Sequence, residues 1–387
     1  MQKDKPEIIF VVENKMGGIA YLNKNIINST SRKNEAWVKV ILLNQIDANH
    51  ARFTDTFEAD EIIDFRYAGY ENKYAVLKRL HKQLGSRPGA VICNDSLEME
   101  AIYLLGTPKT VYQIIHDFYN LKLAVRYGAI TDVFIAHTKL FRDVLISADP
   151  SNIDARFLPH GVPIPAIGPI EESGGNLKIV YTGRLVESKG IRDLYSIHKL
   201  LQKRGIDIEW TIIGRGPLRD FLNEQWKGEN NVRFLSPDTN EEVMMLMSQH
   251  SLFVLPTRFE GSPVTILEAL GTGIAPVVSD LPGGIREIVS EDIGRRVPVG
   301  NIELFADAIA ELHCDRKMLY ELRINARKLA LQQFDIKVTS DNYFEAFVQF
   351  ASLKKPRQTL PKMKFGSRLD NKWLPNAAVC FFRRLFL

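Results

Sequence analysis

The stretch Arg258-Phe-Glu-Gly-Ser-Pro-Val-Thr-Ile-Leu-Glu268-Ala sets two glutamates, Glu260 and Glu268, eight positions apart across the start of a helix. Before it, Ser251-Leu-Phe-Val-Leu-Pro256 reads as a short buried strand. Ser262 then reads as a helix N-cap and Pro263 as the first helical residue. Strand, loop carboxylate, helix N-terminus and second carboxylate together suit a sugar nucleotide. Free amides at a helix start favour phosphate. Carboxylates accept paired hydrogen bonds from neighbouring hydroxyls. On spacing alone, an ordinary loop carboxylate followed by an acid early in a helix fits equally well.

Around this stretch the chain alternates. Apolar runs at 178–182, 208–213, 232–235, 252–255 and 275–278 are separated by helical periodicity at 191–203, 218–225, 241–248 and 264–270. The first half repeats the pattern, with strands expected at 7–13, 37–43, 90–93, 110–115 and 133–136. Helices are expected there at 18–27, 74–84, 97–105 and 139–146. Such alternation predicts an α/β chain with two Rossmann-like domains, each a mainly parallel sheet covered on both faces. Two such domains would face each other across a cleft. Residues 163–176, rich in Pro and Gly, read as the linker between a domain at 1–162 and one at 177–335. A helix at 336–352 is expected to pack back toward the first domain, followed by a tail at 353–387.

Composition narrows the function. At 387 residues the chain is too long for one ordinary core. Its three cysteines lie far apart, which suggests reduced thiols and a cytoplasmic setting rather than a disulfide framework. The apolar run Ile8-Ile-Phe-Val-Val12 is too short for a secretory signal, and no stretch has the apolar length of a membrane span. The net charge of +4 is uneven. From Lys354 onward there are nine Lys or Arg and one acid, so the rest of the chain is net negative. A nucleic-acid partner is not expected, because its basic clusters would run through the folded part.

Four further signals could carry chemistry. Gly183-Arg184 with Lys189-Gly190 follows a strand and offers two cations near a helix start, suited to a diphosphate. Gly214-Arg-Gly216-Pro is a glycine turn between strand and helix. Met16-Gly17-Gly18-Ile opens the first helix, either as a phosphate contact or as a tight turn. His116 stands at the carboxyl end of a strand, where α/β sheets bind ligands, although a structural histidine is at least as common there.

Taken in order, these pieces resemble glycosyltransferase family 4, whose members have the GT-B fold. The matching segments are Gly183-Arg-Leu, Lys189-Gly190, Gly214-Arg-Gly-Pro217, Leu255-Pro-Thr-Arg-Phe-Glu-Gly261, Glu268-Ala and Gly283-Gly-Ile-Arg-Glu287. The resemblance implies a retaining transferase using a nucleotide sugar, expected to be a UDP-sugar, with no cofactor and no metal. It implies that Arg184 and Lys189 hold the diphosphate and Glu268 the ribose. Glu260, with Gly261, Ser262, Pro263 and Val264 after it, would face the donor sugar. His116 would lie beside that sugar, and Gly17 and Gly18, with Gly183, Gly214 and Gly216, near the donor. Ser262-Pro263 departs from the commoner Phe-Gly, and Ser236 stands where glycine is frequent.

The implied acceptor is a hydroxyl of a glycan or a lipid-linked sugar, as in cell-envelope polysaccharide or glycolipid synthesis. The alternatives are a non-catalytic nucleotide-sugar-binding subunit or a GT-B-like epimerase. The basic tail bears Trp373, Phe381, Phe382 and Phe386, with Leu374, Ala378, Phe381 and Leu385 on one helical stripe and Arg383 opposite. It reads as a peripheral anchor on an anionic membrane surface, at the inner face of the membrane, or else as a segment that packs on its own protein.

Overall fold

The computed structural model describes residues 5–150, 152–168, 170, 175–356 and 365–384. They form two compact units, one from the described parts of 1–137, 141–159 and 337–387, the other from 138–140 and 160–336.

The first unit holds seven strands: β1 (Glu7–Glu13), β2 (Trp37–Gln45), β3 (Glu61–Tyr67), β4 (Gly89–Cys93), β5 (Thr110–Ile115), β6 (Val133–Ala136) and β7 (Ala155–Phe157). Their order is β3-β2-β1-β4-β5-β6-β7, with every neighbouring pair parallel. A parallel sheet needs crossovers, and helices supply them on both faces. Hence β1 is apolar from Ile8 to Val12: Ile8, Phe10 and Val12 enter one core cluster, Ile9 and Val11 the other.

The second unit repeats the design with β8 (Leu177–Thr182), β9 (Ile208–Ile213), β10 (Val232–Leu235), β11 (Leu252–Leu255), β12 (Ala275–Ser279) and β13 (Arg295–Val297), in the order β10-β9-β8-β11-β12-β13. All pairs are again parallel. Winding reverses between β1 and β4 in the first sheet and between β8 and β11 in the second. At such a reversal the flanking loops diverge and leave a crevice beyond the strand ends.

The chain returns to the first unit after residue 336. In the helix Ile336–Val348, Tyr343, Phe344 and Phe347 are buried in the same cluster as Ile8 and Phe10. The Tyr112 hydroxyl donates to Ala346 O at 2.7 Å, and the Phe10 and Phe347 rings meet edge-on at 5.7 Å. Asp341 accepts from the Thr30 hydroxyl and from the amide and hydroxyl of Ser31, at 2.7–2.8 Å.

The last described segment, 365–384, is also part of this unit. It ends in the helix Asn376–Arg384, which starts just after Pro375. Leu385 of the expected apolar stripe, and Phe386, lie outside the described residues. Among the described residues, no helix is long and apolar enough to cross a membrane.

Apart from the five-residue helix Gly284–Ile288 and short 3-10 turns, four elements are absent from the sequence reading. The strands β3, β7 and β13 are sheet edges, two of them three residues long, where the apolar pattern is weak. The fourth is the helix Phe118–Tyr127, capped by Asp117, whose carboxylate accepts from the amides of Tyr119 and Asn120.

In the second unit two loops pack through glycine. Gly190 has φ +64°, and a Cβ there would stand 1.8 Å from Pro256 O. The position thus requires both the left-handed conformation and the missing side chain. Gly190→Ala is expected to destabilise the protein by at least ~1–3 kcal/mol. Thermal or denaturant unfolding of the variant measures this; a wild-type midpoint would mean the two loops are free to separate.

Candidate functional site

The C-terminal ends of β8 and β11 carry the loops that matter. Arg258 N donates to Ser188 O at 2.8 Å, and the Thr257 hydroxyl donates to the same carbonyl at 3.1 Å. These bonds hold the Lys189 turn against the Glu260 loop. As a result the Lys189 ammonium and the Glu260 carboxylate form a close, largely buried ion pair. Arg258, beside them, pairs with Asp193 at 3.0 Å. Arg184 is exposed, and its carbonyl accepts from the Tyr181 hydroxyl at 3.0 Å. Burial, with the Glu260 charge nearby, raises the Tyr181 phenol above its ordinary value, so it is a neutral donor.

The loop after β9 is stitched to the same place. A Cβ on Gly214 would lie 1.9 Å from Gly183 O, and one on Gly216 would lie 2.5 Å from Leu185 O. The Gly-Arg-Gly turn therefore has an intramolecular reason for its glycines, whatever else approaches it.

The helix after the Glu260 loop spans Val264–Gly271. Here the structure corrects the sequence reading. Its N-cap is Pro263, not Ser262, and no side chain caps it. Instead Val264 N turns back to Ser262 O at 3.0 Å. Proline fixes its own φ, so the chain enters the helix one residue later than the Ser-Pro pattern suggests. Gly261 and Pro263 are enclosed on one side by Gly284, where a Cβ would be 2.7 Å from Pro263 Cδ and 3.1 Å from Gly261 O.

Glu268 lies on this helix and is only 8% exposed. Burial pushes its carboxyl up to about 7, against the opposing effect of a hydrogen bond from the Asn240 side chain. A group poised there changes charge near neutrality, and hydroxyl donors would favour its ionised form.

The remaining sequence candidates, Gly17, Gly18 and His116, belong to the first unit. Gly17 and Gly18 follow β1, are exposed, and have open space where a Cβ would stand. His116 follows β5 and is 8% exposed. Its Nε2 is 2.9 Å from Asn94 Oδ1 and its Nδ1 is 3.2 Å from His137 Nε2. His137 Nδ1 is in turn 2.9 Å from the Tyr343 hydroxyl, which donates to Leu158 O at 2.9 Å.

The Asn94 amide sets the protons in this chain. Its Nδ2 donates to Val11 O at 2.8 Å, which leaves Oδ1 as the acceptor facing the ring. His116 then carries its proton on Nε2 and presents its Nδ1 to His137 Nε2, while His137 Nδ1 lies 3.1 Å from Leu158 O. Burial holds His116 well below its ordinary value, with the neighbouring His137 adding to the effect, and holds His137 down at about 4. Both rings are neutral at physiological pH, and both His116 nitrogens are engaged inside the unit.

Asn94, His137 and Tyr343 were not singled out in the sequence. One signal was there: Asn94-Asp95-x-x-Glu98 is a capping box, with Glu98 Oε1 accepting from the amides of Asn94 and Asp95 at 2.7 and 2.5 Å. Glu98 is fully buried, and burial, aided by Asp95, pushes it up to about 8, so it is protonated at neutral pH.

Residues 167–329 match the family described as Glycosyl transferases group 1. The matched segment contains Arg184, Lys189, Glu260 and Glu268, and all of β8 to β13. The chain is similar to the 2-deoxystreptamine N-acetyl-D-glucosaminyltransferase of Niallia circulans, 23% identical over 61% of this chain and 64% of that protein. It is also similar to the UDP-Gal:alpha-D-GlcNAc-diphosphoundecaprenol alpha-1,3-galactosyltransferase of Escherichia coli, 27% identical over 52% of this chain and 55% of that one. Each likeness thus spans less than two-thirds of the relative's length.

Among solved structures, Anabaena Alr3699/HepE in complex with UDP and glucose superposes with a TM-score of 0.70, 18% identity, and coverage of 89% of this chain and 99% of that one. Sucrose-phosphate synthase from Thermosynechococcus elongatus gives 0.70 at 15% identity, with the same coverage. The fold is GT-B.

Glu268 makes stability depend on pH. Its carboxyl ordinarily titrates at 4.5 and in the folded protein at about 7. Between those values the folded chain keeps a proton that the unfolded chain has released. Its contribution to stability therefore falls as pH rises through that window. Comparing denaturant unfolding of wild type and Glu268→Gln tests it: wild type should lose stability relative to the variant as pH rises from 4.5 to about 7, and a difference that stays constant over that range would mean Glu268 titrates at its ordinary value.

Proposed function

We propose that this protein is a retaining glycosyltransferase. It moves a sugar from a nucleotide-sugar donor, a UDP-sugar, to a hydroxyl of a glycan or lipid-linked acceptor in cell-envelope polysaccharide or glycolipid synthesis, working as a peripheral protein at the inner face of the membrane. The observation that carries the reading is the Lys189–Glu260 pair at the point where the second sheet reverses, with Glu268 buried eight residues on. UDP in the complex with the Anabaena structure, and relatives named for polyprenol-linked sugars, support the choice of donor and acceptor.

The chemistry follows from charge. The bond between the anomeric carbon and the diphosphate breaks, and a new one forms to the acceptor oxygen. The acceptor's proton passes to the leaving phosphate oxygen. Negative charge grows on the diphosphate, where Arg184, Lys189 and the first amides of the helix Val264–Gly271 are the fixed donors. Without donor, Lys189 is neutralised by Glu260; an incoming diphosphate competes for the ammonium and frees the carboxylate to accept from sugar hydroxyls. Glu268 accepts from the ribose. His116, neutral and held at both nitrogens, positions or stabilises the donor sugar rather than acting as a base.

Nucleotide release from a panel of sugar nucleotides, with and without a polyprenyl-diphosphate-linked acceptor, tests the reading. One donor should be turned over and should raise the melting temperature; no response to any donor would overturn it. NMR of the product from an α-linked donor should show an α linkage. Lys189→Ala should lower kcat/KM about 10²–10³-fold. Glu268→Ala should chiefly weaken nucleotide binding, and the wild-type affinity should fall as pH drops below about 7, where Glu268 gains its proton. Unchanged constants in both variants would remove these residues from the site.

A further inference from the structure

The segment 365–384 is seated on the first unit the wrong way round for an ordinary surface helix. An amphipathic helix on a soluble protein turns its apolar stripe to the core and its charges to water. Here the inward positions of Asn376–Arg384 are Val379, which is buried, and Arg383 one turn later. Arg383 donates to Glu71 O at 2.5 Å and to Asp370 Oδ2 at 3.0 Å. Phe381 and Phe382 point away and are 63% and 51% exposed, and Trp373 in the preceding turn is 79% exposed. Leu374 adds to the same exposed set.

The seat itself is firm and polar. Asn72, buried, donates through its side chain to Asn371 O at 2.9 Å and Leu374 O at 2.8 Å, and through its amide to Asn376 Oδ1 at 2.8 Å. Asp370 accepts from Lys73 N at 2.7 Å, and Asn376 donates to Glu71 Oε2 at 2.8 Å. These contacts, with Phe365 packed edge-on against Tyr74, fix the segment without using Trp373, Phe381 or Phe382. Exposing three aromatic rings to water is costly, so a face built this way calls for an apolar cover.

Charge says what the cover is. The exposed ionic groups of the segment are Arg368, Lys372 and Arg384, all positive. Its acid, Asp370, is buried beneath Arg383 and Lys73. The Lys372 ammonium lies 4.6 Å from the Trp373 ring centre, and the Arg384 guanidinium lies 4.4 Å from that of Tyr70. Exposed tryptophan and phenylalanine in one short segment with exposed lysine and arginine match the boundary between acyl chains and anionic headgroups.

We infer that Trp373, Leu374, Phe381 and Phe382, with Arg368, Lys372 and Arg384, form a preformed docking face for an anionic lipid bilayer. This deepens the membrane-side reading above, on which it rests. The segment binds lipid as a rigid part of the first unit and not as a loose arm, so docking brings the start of the helix Lys73–Leu84 to the membrane surface. That is an orientation as well as an attachment.

Full-length protein mixed with vesicles containing phosphatidylglycerol should co-sediment, and its tryptophan emission should shift to the blue. Phosphatidylcholine vesicles, or high salt, should abolish both effects. Trp373→Phe should keep most of the binding and lose most of the shift. The variant combining Trp373→Ser, Phe381→Ser and Phe382→Ser should bind at least about tenfold more weakly with an unchanged melting temperature, since the removed rings are exposed in the free protein. Equal binding by that variant, or no binding by wild type, overturns the inference. So does a dimer in light scattering that the triple variant dissolves without any vesicle binding, because the face would then join two protein surfaces. Asn72→Ala separates a rigid seat from a loose arm: the amides of residues 371–379 should lose hydrogen-exchange protection on vesicles, and wild-type protection in the variant would mean the seat does not hold the segment. No sugar nucleotide enters these measurements. A failed transfer assay therefore leaves them readable, and nucleotide release by the triple variant on a soluble acceptor shows whether a loss concerns the membrane or the chemistry.

Discussion

The candidate donor site depends on one constraint: a parallel sheet wound in two directions must have a place where its connections part. In the second unit that place lies between β8 and β11. Two loops arrive there from opposite sides, and they meet because glycine lets backbone touch backbone, at Gly190 against Pro256 and at Gly214 against Gly183. The loops then have little freedom left. Lys189 and Glu260, seventy-one residues apart in the chain, are brought into contact by hydrogen bonds of the backbone around Ser188 and not by their own attraction alone. Sites supported in this way keep their geometry when the ligand leaves.

The surroundings of Lys189 and of His116 manage charge differently, although the first unit also buries ion pairs such as Lys109–Glu7. Around Lys189, a cation and an anion neutralise each other and wait for a ligand that will compete for one of them. Around His116, charge is removed at source. Glu98 keeps its proton, and His116 and His137 stay neutral in a hydrogen-bonded chain that runs from Asn94 to Tyr343. The surroundings of His116 thus offer dipoles and shape, whereas the loops around Lys189 offer point charges.

Much of this was legible in the sequence. Central strands such as β1, β5 and β9 are buried on both faces and stand out as largely apolar runs. Edge strands such as β3, with alternate residues in water, do not. The glutamate pair and the glycine turns were visible because chemistry and tight packing each restrict residue type. The Ser262-Pro263 pair misled by one residue, since capping depends on backbone angles that a dipeptide does not determine. The roles of Asn94, His137 and Tyr343 were hidden for another reason. Asparagine, histidine and tyrosine are common, and only the fold puts positions 94, 137 and 343 in one line. The tail was readable as basic and aromatic, but which face it buries is decided by Asn72 and Asp370, and no periodicity contains that information.

The route of the chain has a further consequence during synthesis. The first unit draws on residues 337–353 and 365–384 to cover its sheet, yet all of the second unit is made before they emerge. Until Tyr343, Phe344 and Phe347 leave the ribosome, the face of β1 and β5 that they cover lies open to water and to other nascent chains. The second unit, contiguous through 160–336 apart from a three-residue contribution, can close first. The half of the molecule that begins earliest is therefore the last to be finished, and during that interval it is the half most exposed to chaperones and to aggregation.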